Sequence, residues 1–132
     1  MRYLQYARAC LCTLALAWGG MLHAEETPRI SQADLIKRIE TKDPALIVLD
    51  VRTAEEYSAG HVPGAVNIPY THLPARISEL PGAADKDIVV YCVTGVRAER
   101  AATRFKENGF KRLLHLDGDM KQWEAQSRPI EK

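Results

Sequence analysis

The stretch that decides the fold is DIVVYCVTGVRAER, residues 87–100, in which an apolar run leads into a cysteine, a glycine and an arginine. A continuous apolar run such as residues 87–92 is typical of a strand buried on both faces of a sheet. Beyond Gly95, small and aromatic residues recur at helical spacing; they are Ala98, Ala101, Ala102 and Phe105. The segment therefore predicts a strand, a tight loop and a helix, with Cys92 at the carboxyl end of the strand.

The same alternation continues on both sides of this segment. Apolar runs predict strands at residues 45–50 and 113–116, and a short β-rich segment follows the Pro63-Gly64 turn. Helices are predicted at residues 32–40, from Thr53 to near Gly60, around Leu73, Ile77 and Leu80, and at residues 120–126. Strands that alternate with helices over short connections favour crossover units and parallel pairing. We expect an α/β fold of three layers, with a largely parallel sheet of four to five strands and helices on both faces.

Two of the predicted helices carry the sequence signal of a capping box. Ser31 is followed by Asp34, and Thr53 is followed by Glu56. In this motif the hydroxyl accepts a backbone N–H and the acidic side chain accepts the N–H of the capping residue. The two positions therefore predict where these helices begin.

The first 24 residues are typical of a secretory signal rather than of a folded element. Arg2 and Arg8 give a basic start, residues 9–21 are almost wholly apolar, and the segment closes at Ala24 before two glutamates. We expect cleavage after Ala24, which leaves residues 25–132 as one domain. An uncleaved N-terminal anchor is the alternative.

The charge composition of the remaining chain limits the classes of partner that it is expected to bind. Its 108 residues carry 16 basic and 17 acidic side chains, because the segment removed holds two arginines and no acidic residue. Such a balance argues against nucleic acid as a partner, and we expect no stable membrane association once the signal is cleaved. Export predicts the bacterial periplasm as the location.

The cysteine count raises the question of function. Cys10 and Cys12 leave with the signal, so Cys92 is the one thiol of the mature chain and has no internal disulfide partner. An unpaired thiol in an oxidising compartment risks oxidation. Its presence calls either for burial as a small apolar residue or for a use of its chemistry.

The residues after Cys92 favour chemistry. Gly95 gives the loop the torsional freedom to curl between strand and helix. Backbone N–H groups of such a curl point inward and bind anions, and the start of the following helix adds to this effect. Arg97 adds a positive charge at the rim. We expect these groups to stabilise negative sulfur on Cys92.

The two longest motifs resemble those of one family. CVTGVR, residues 92–97, resembles the active loop of rhodanese-type sulfurtransferases, and LDVRTAEEYSAGHVPGAVNIP, residues 49–69, is similar to the family's second signature. The resemblance spans about residues 31–123, nearly the whole mature chain. It implies a rhodanese-like domain of the exported, single-domain type.

The resemblance also implies a reaction. Cys92 would take the outer sulfur of thiosulfate or a persulfide, hold it as a persulfide, and pass it to cyanide or a thiol. Substrate would be bound by Arg97 and the loop residues, namely Val93, Thr94, Gly95 and Val96. The donor and acceptor would be small molecules, no cofactor is implied, and protein partners are not indicated.

Two other functions stay open. One is a module that binds persulfide or senses thiols and turns over slowly. The other is a phosphatase or arsenate reductase, but those relatives place five residues between the cysteine and the arginine. Here only four intervene between Cys92 and Arg97, and the shorter loop favours a sulfur atom over a tetrahedral oxyanion.

The other polar residues near these motifs favour structural roles. We expect Asp50 and Arg52 to pair and to fix the ends of their loop, and His61 to stabilise a turn. His72 and His115 show no metal-ligand spacing with Cys92, so we predict no metal site.

Three residues toward the C-terminal end complete the predictions. Trp123 is expected to pack in the core, and Arg100 to lie on a solvated helix face. Asp119 departs from the family, in which glycine usually stands at this position. Its carboxylate is expected to cap the helix that starts at Met120, and the alternative is that its charge lies near the floor of the pocket.

Overall fold

The computed structural model describes residues 26–132. The predicted signal at residues 1–24, together with Cys10 and Cys12, lies outside the described residues. In the part of the chain that is described, none of the helices has the length and apolar character needed to cross a membrane.

The molecule is built around a sheet of five parallel strands in the order β1-β5-β4-β2-β3. The strands are β1 (Arg29–Ile30), β2 (Leu46–Asp50), β3 (Val66–Asn67), β4 (Asp87–Tyr91) and β5 (Leu113–Leu116). The predicted α/β class and parallel sheet are confirmed. Apolar residues fill both faces of the central strands, which explains why β2 and β4 are continuous apolar runs.

Four α-helices cover the two faces of the sheet: α1 (Gln32–Glu40), α2 (Ala54–Ala59), α3 (Val96–Glu107) and α4 (Asp119–Ala125). One apolar cluster joins β2 and β4 to α3, through residues such as Val90, Ala98 and Phe105. A second cluster on the opposite face joins the strands to α1 and α4, through residues such as Leu35 and Trp123. The fold therefore has the three layers that the sequence predicts.

The register of β2 and β4 sets the position of the candidate site. Asp50 and Tyr91 are paired across the two strands, so both strands end at the same level of the sheet. Cys92 follows Tyr91 directly. The carboxyl ends of neighbouring parallel strands are where ligands bind in open α/β sheets.

The caps of α1 and α2 begin the helices where the sequence predicts. The Asp34 N–H donates to the Ser31 hydroxyl at 3.1 Å. At α2 the full capping box forms, because the Thr53 N–H donates to Glu56 Oε2 at 2.8 Å and the Glu56 N–H donates to Thr53 Oγ1 at 3.2 Å. Glu56 is thus fixed at the first turn of α2.

The predicted helix around Leu73, Ile77 and Leu80 is wrong. Short 3-10 turns occupy this region, at Tyr70–His72, Ile77–Glu79 and Ala83–Asp85. Proline has no N–H to donate and disfavours helical geometry in the residue before it, and Pro74 follows Leu73, whose backbone is extended. The three apolar side chains are nevertheless buried in the core.

The first strand, β1, is not among those predicted from the sequence. This strand has only two residues, Arg29 and Ile30, and pairs with β5 at the edge of the sheet. Two residues are too few for an alternation of apolar and polar side chains to be read.

Candidate active site

Cys92 lies where β4 ends and turns toward α3. The residue is 1% exposed and packs within the apolar cluster under α3. It is a free cysteine in the described part of the chain. The reacting sulfur proposed from the sequence therefore lies at the bottom of its loop, and a reagent has to reach it from the rim.

The loop closes over the sulfur through Gly95. Its φ of +112° lies in the region that favours glycine, and its N–H donates to Cys92 Sγ at 3.0 Å. A Cβ at Gly95 would lie 3.0 Å from His115 Cε1 and 3.1 Å from Asp119 Oδ2. Glycine is required here both by conformation and by the side chains packed behind it.

Gly95 also caps α3, so the first turn of that helix begins directly beside the cysteine. The first N–H groups of an α-helix have no partner within the helix and carry its positive end. The Gly95 N–H is the loop donor that contacts Sγ in the described structure. The wider anion-stabilising role expected of the loop amides stays a prediction.

The other loop residues form the rim and the wall of the site. Val93 and Arg97 are half-buried, Thr94 is exposed, and Val96 is 60% exposed. Their predicted role in binding substrate stays a prediction. The loop is held from below by α4, because the Met120 N–H donates to the Cys92 carbonyl at 3.0 Å.

Arg97 is paired with an acidic residue of α2. Its two terminal nitrogens donate to Glu56 Oε2 at 2.8 Å and to Glu56 Oε1 at 3.0 Å. These hydrogen bonds lower the pKa of Glu56 from its ordinary 4.5 to about 2 and raise the pKa of Arg97. Since a guanidinium has five N–H donors, the pair leaves Arg97 with further donors, but Glu56 balances its charge.

Asp50 and Arg52 form a buried ion pair, as predicted. Arg52 is 4% exposed and Asp50 is fully buried. The Arg52 Nε donates to both carboxylate oxygens, at 3.0 and 3.1 Å, and a terminal nitrogen donates to the Gly60 carbonyl at 2.8 Å. The pair ties the end of β2 to the end of α2.

Tyr91 completes this buried network from β4. Its hydroxyl donates to Asp50 Oδ2 at 2.8 Å and accepts the Val62 N–H at 3.1 Å. Burial, together with the Asp50 charge, raises the pKa of Tyr91. The Tyr91 side chain lies on the opposite face of the sheet from the Cys92 cluster, as expected for consecutive residues along a strand.

His61 holds a turn, as predicted. Its Nδ1 lies 2.8 Å from the Tyr57 carbonyl, and its ring stacks on the Tyr57 ring with centroids 3.7 Å apart. Its backbone exchanges two hydrogen bonds with Glu131, each of 2.9 Å, which fastens the C-terminal end to this turn.

The remaining predictions in this region concern α3 and α4. Trp123 is fully buried and its indole N–H donates to the Pro129 carbonyl at 2.7 Å, so the predicted packing role is confirmed. Arg100 is exposed on α3, as predicted.

The capping role expected of Asp119 is wrong. Gly118 is the N-terminal cap of α4 and provides no side chain, while the Asp119 carboxylate turns toward the active loop. Its Oδ1 accepts the Cys92 N–H at 3.0 Å, and the residue is 2% exposed. The alternative expectation, a charge under the pocket, describes what the structure contains.

The sequence did not connect Asp119 with His115. His115 Nε2 lies 3.0 Å from both Asp119 oxygens, and Nδ1 lies 2.7 Å from Glu99 Oε1. The signal available was the spacing of four residues between His115 and Asp119 across a Gly118 turn. That spacing alone does not show whether the two side chains point the same way.

A family model described as the Rhodanese-like domain matches residues 31–126. A sulfurtransferase of Allochromatium vinosum is 34% identical over 101 residues, which cover 76% of this chain and 92% of the relative. A putative sulfur carrier protein of Bacillus subtilis is 35% identical over 76% of this chain. An HTH-type transcriptional regulator of Mycobacterium tuberculosis is 37% identical over 92% of this chain. The chain spans about half the length of the last two relatives, 53% and 52% respectively.

Solved structures with the same fold include a Bacillus halodurans protein, at a TM-score of 0.72 and 30% identity, with 80% of this chain and 77% of that chain covered. The rhodanese-like domain of an Anabaena protein has a TM-score of 0.69 at 31% identity, with 79% of this chain and 78% of that chain covered. Both similarities cover about four fifths of this chain, far more than the loop alone.

Proposed function

This chain belongs to the rhodanese-like family, and from that premise we propose that it is a thiosulfate sulfurtransferase that works through a persulfide on Cys92. A sulfurtransferase and a putative sulfur carrier are among its relatives. The donor is thiosulfate or a low-molecular-weight persulfide, and the acceptor is cyanide or a thiol.

The observation that carries the proposal is the hydrogen bond from the Gly95 N–H to Cys92 Sγ at 3.0 Å. A backbone donor aimed at a sulfur atom stabilises that sulfur when it is negative. The attacking thiolate carries its negative charge on Sγ itself, and the resulting persulfide carries it on the outer sulfur, one bond beyond Sγ. A cysteine that served only to fill the core would need no such donor.

In the first half-reaction, Cys92 thiolate attacks the outer sulfur of thiosulfate. The new S–S bond forms as the bond between the outer and central sulfur atoms breaks, and sulfite leaves with the electron pair. The enzyme then holds Cys92 as a persulfide anion, and charge is conserved. Donors around the loop stabilise this anion without moving.

In the second half-reaction, an acceptor attacks the outer sulfur of the persulfide. Cyanide forms thiocyanate and returns Cys92 as a thiolate, whereas a thiol forms a new persulfide. The loop carbonyls bonded to the first turn of α4 keep the backbone of Cys92 fixed between the two steps. Cys92 Sγ therefore receives the transferred sulfur atom and gives it up from the same position.

The length of the loop supports a sulfur atom, rather than a phosphate, as the group that is transferred. Four residues separate Cys92 from Arg97, and Gly95 closes directly onto Sγ. Arg97, which would clamp an oxyanion in a larger loop, is held by Glu56 instead.

One observation favours a second candidate function. Cys92 is only 1% exposed, so a persulfide formed there is shielded from solvent and from bulky acceptors. This is what a sulfur carrier or sensing module requires, in which the persulfide persists until a specific acceptor docks. The two functions share the first half-reaction and differ in the second.

We also propose that the domain works outside the cytoplasm, in the bacterial periplasm. The support is the signal-like sequence of residues 1–24. N-terminal sequencing of the protein recovered from a periplasmic fraction tests this. A start at Glu25 is expected, and recovery of the full chain in the cytoplasmic fraction would exclude it.

A turnover assay tests the enzyme directly. Purified protein is given thiosulfate and cyanide, and thiocyanate is measured against the Cys92→Ser variant. Continuous formation of thiocyanate by the wild type alone is expected. A single turnover per protein molecule would favour the carrier, and equal rates for both proteins would exclude a role of Cys92.

A further inference from the structure

A buried chain of three side chains runs from the active loop to the surface. Asp119 Oδ1 accepts the Cys92 N–H at 3.0 Å, His115 Nε2 contacts the same carboxylate at 3.0 Å, and His115 Nδ1 contacts Glu99 Oε1 at 2.7 Å. His115 is 1% exposed and Asp119 is 2% exposed, while the Glu99 side chain is 41% exposed. The chain thus links the backbone of the nucleophile to solvent.

The geometry defines the protonation state of His115. A neutral imidazole has one N–H donor and one acceptor nitrogen, but both ring nitrogens here face carboxylate oxygens. Carboxylates accept hydrogen bonds and do not donate them. When Asp119 and Glu99 are both ionised, only an imidazolium satisfies both contacts, so this pairing requires a positive charge on His115.

The electrostatic environment agrees with this assignment. Burial alone would lower the pKa of His115, but the hydrogen bonds and negative charges of Asp119 and Glu99 outweigh burial and raise the pKa. Because Glu99 reaches solvent, protons can exchange with the buried ring through its outer contact. His115 therefore keeps its charge to a higher pH than a free imidazole does.

The charged groups around His115 come from each neighbouring element. α3 contributes Glu99 and α4 contributes Asp119, and the Cys92 N–H of the loop after β4 is bonded to the Asp119 carboxylate. From β1, Arg29 is in register with His115 and its guanidinium lies 3.8 Å from Asp117.

Beyond Glu99, the outer end of the chain is also bonded. Thr27 Oγ1 donates to Glu99 Oε2 at 3.2 Å, and Lys106 Nζ donates to Thr27 Oγ1 at 3.0 Å. Glu99 is therefore oriented toward His115 by contacts on its other oxygen.

The pair is also packed against the loop itself. The ring carbon Cε1 of His115 and Oδ2 of Asp119 lie just behind Gly95, whose N–H donates to the Cys92 sulfur. Asp119 reaches this position because its backbone adopts a left-handed φ of +51°. Without a positive partner, its charge would lie under the site where a negative persulfide forms.

We propose that Asp119 and His115 are positioning residues for sulfur transfer. The Asp119 carboxylate fixes the Cys92 backbone, and the His115 imidazolium cancels the charge of that carboxylate beneath the anionic sulfur. When His115 loses its proton, the uncompensated carboxylate opposes both the approach of an anionic donor and the formation of the persulfide. The kinetic part of this proposal rests on the proposed sulfur transfer. The hydrogen-bonded chain from Cys92 to Glu99 does not depend on it.

The hydrogen-bonded chain from Cys92 to Glu99 is tested by NMR without any sulfur donor. Both ring nitrogens of His115 are expected to carry protons at pH 7, and the Cys92 amide signal is expected to shift with the same midpoint as the ring. Asp119→Asn keeps an oxygen for the Cys92 N–H and tolerates a left-handed φ. In this variant the Cys92 amide should no longer follow the midpoint of the wild-type His115 ring. His72→Gln, which removes an exposed histidine, is the matched control.

The kinetic consequence is tested with the ratio of kcat/KM for thiosulfate between wild type and Asp119→Asn, measured from pH 6 to 10. Because the thiol is common to both proteins, its own ionisation largely cancels in the ratio. The ratio should be flat at low pH and fall about tenfold above the midpoint of His115, as expected for one uncompensated charge near the sulfur. His115→Gln should be about tenfold slower than wild type at neutral pH, and Asp119→Asn in the same chain should restore the rate.

The outcomes separate the two claims. A neutral His115 ring at pH 7 would overturn the proposed hydrogen-bonded chain from Cys92 to Glu99. A Cys92 amide signal that does not shift as His115 titrates would overturn it as well. A flat kinetic ratio with sulfur transfer intact would overturn the charge compensation. If the wild type shows no sulfur transfer but the NMR results are as expected, the proposed function is overturned and the hydrogen-bonded chain from Cys92 to Glu99 still stands.

Discussion

Glu56 accepts two hydrogen bonds from Arg97, at 2.8 and 3.0 Å, and so connects the first turn of α2 with the first turn of α3 beside Cys92. The same carboxylate closes the capping box with Thr53. One acidic residue therefore begins a helix and neutralises the arginine of the active loop.

Removing the charge of Glu56 should improve the use of thiosulfate. Glu56→Gln keeps an oxygen for the Thr53 N–H, because glutamine serves in capping boxes, but it frees the positive charge of Arg97. We expect the KM for thiosulfate to fall about twofold to fivefold, the range of a partly exposed ion pair. Steady-state kinetics measure this, with Glu55→Gln on the exposed side of α2 as the control.

The source of that gain can be isolated with a second substitution. Arg97→Ala in the Glu56→Gln background should remove the improvement and raise the KM for thiosulfate above the wild-type value. If the double variant keeps the lower KM, Arg97 does not attract the donor and its predicted binding role is wrong.

The Glu56–Arg97 pair should also make stability depend on acid. The Glu56 pKa is depressed from 4.5 to about 2, so the stabilisation is complete above pH 4.5 and is lost as the pH falls toward 2. Since the Glu56 side chain is 35% exposed, solvent screening reduces its contribution to about 1 kcal/mol. Urea unfolding of wild type and Glu56→Gln should show this difference at pH 6 and a much smaller one at pH 2.5. A difference that does not change with pH would contradict it.

Tyr91→Phe should destabilise the domain without touching the sulfur. The change leaves the buried Val62 N–H without its acceptor and takes one donor from Asp50. We expect the free energy of unfolding to fall by about 1–3 kcal/mol. Urea unfolding measures it, and Tyr70→Phe, at a half-buried position, should stay within about 0.5 kcal/mol of wild type.

Cys92→Ser should keep the fold while it removes turnover. The serine hydroxyl is smaller than the thiol, and the Gly95 N–H remains available to it. We expect the free energy of unfolding to change by no more than about 1.5 kcal/mol, seen as a small shift in Tm by calorimetry. A much larger fall in Tm would show that the thiol serves mainly as a core residue.

The sheet and the active loop were predictable from local sequence. The strands β2 and β4 are continuous apolar runs, which is what burial on both faces requires. The loop was predictable because a cysteine at a strand end, a glycine three residues on and a helical pattern beyond leave few conformations for the backbone. The Thr53–Glu56 box was equally local, so α2 could be placed.

The contacts that fix the site depend on residues far apart in the chain. Arg97 and Glu56 are separated by 41 residues, and Cys92 and Asp119 by 27. Their side chains meet because parallel pairing brings the strand ends to one edge of the sheet. Local sequence patterns do not show which distant residues come into contact in this way. The short helix was mispredicted for the opposite reason, since apolar spacing around Leu73 was given more weight than Pro74.

The central claim is that Cys92 carries transferable sulfur, and mass spectrometry of the intact protein tests it most directly. After treatment with thiosulfate and removal of excess donor, the account predicts a gain of one sulfur atom, mapped to the peptide that contains Cys92. Cyanide should remove that atom and restore the starting mass, and Cys92→Ser should gain nothing. If neither thiosulfate nor a persulfide donor adds sulfur to Cys92, the account is contradicted.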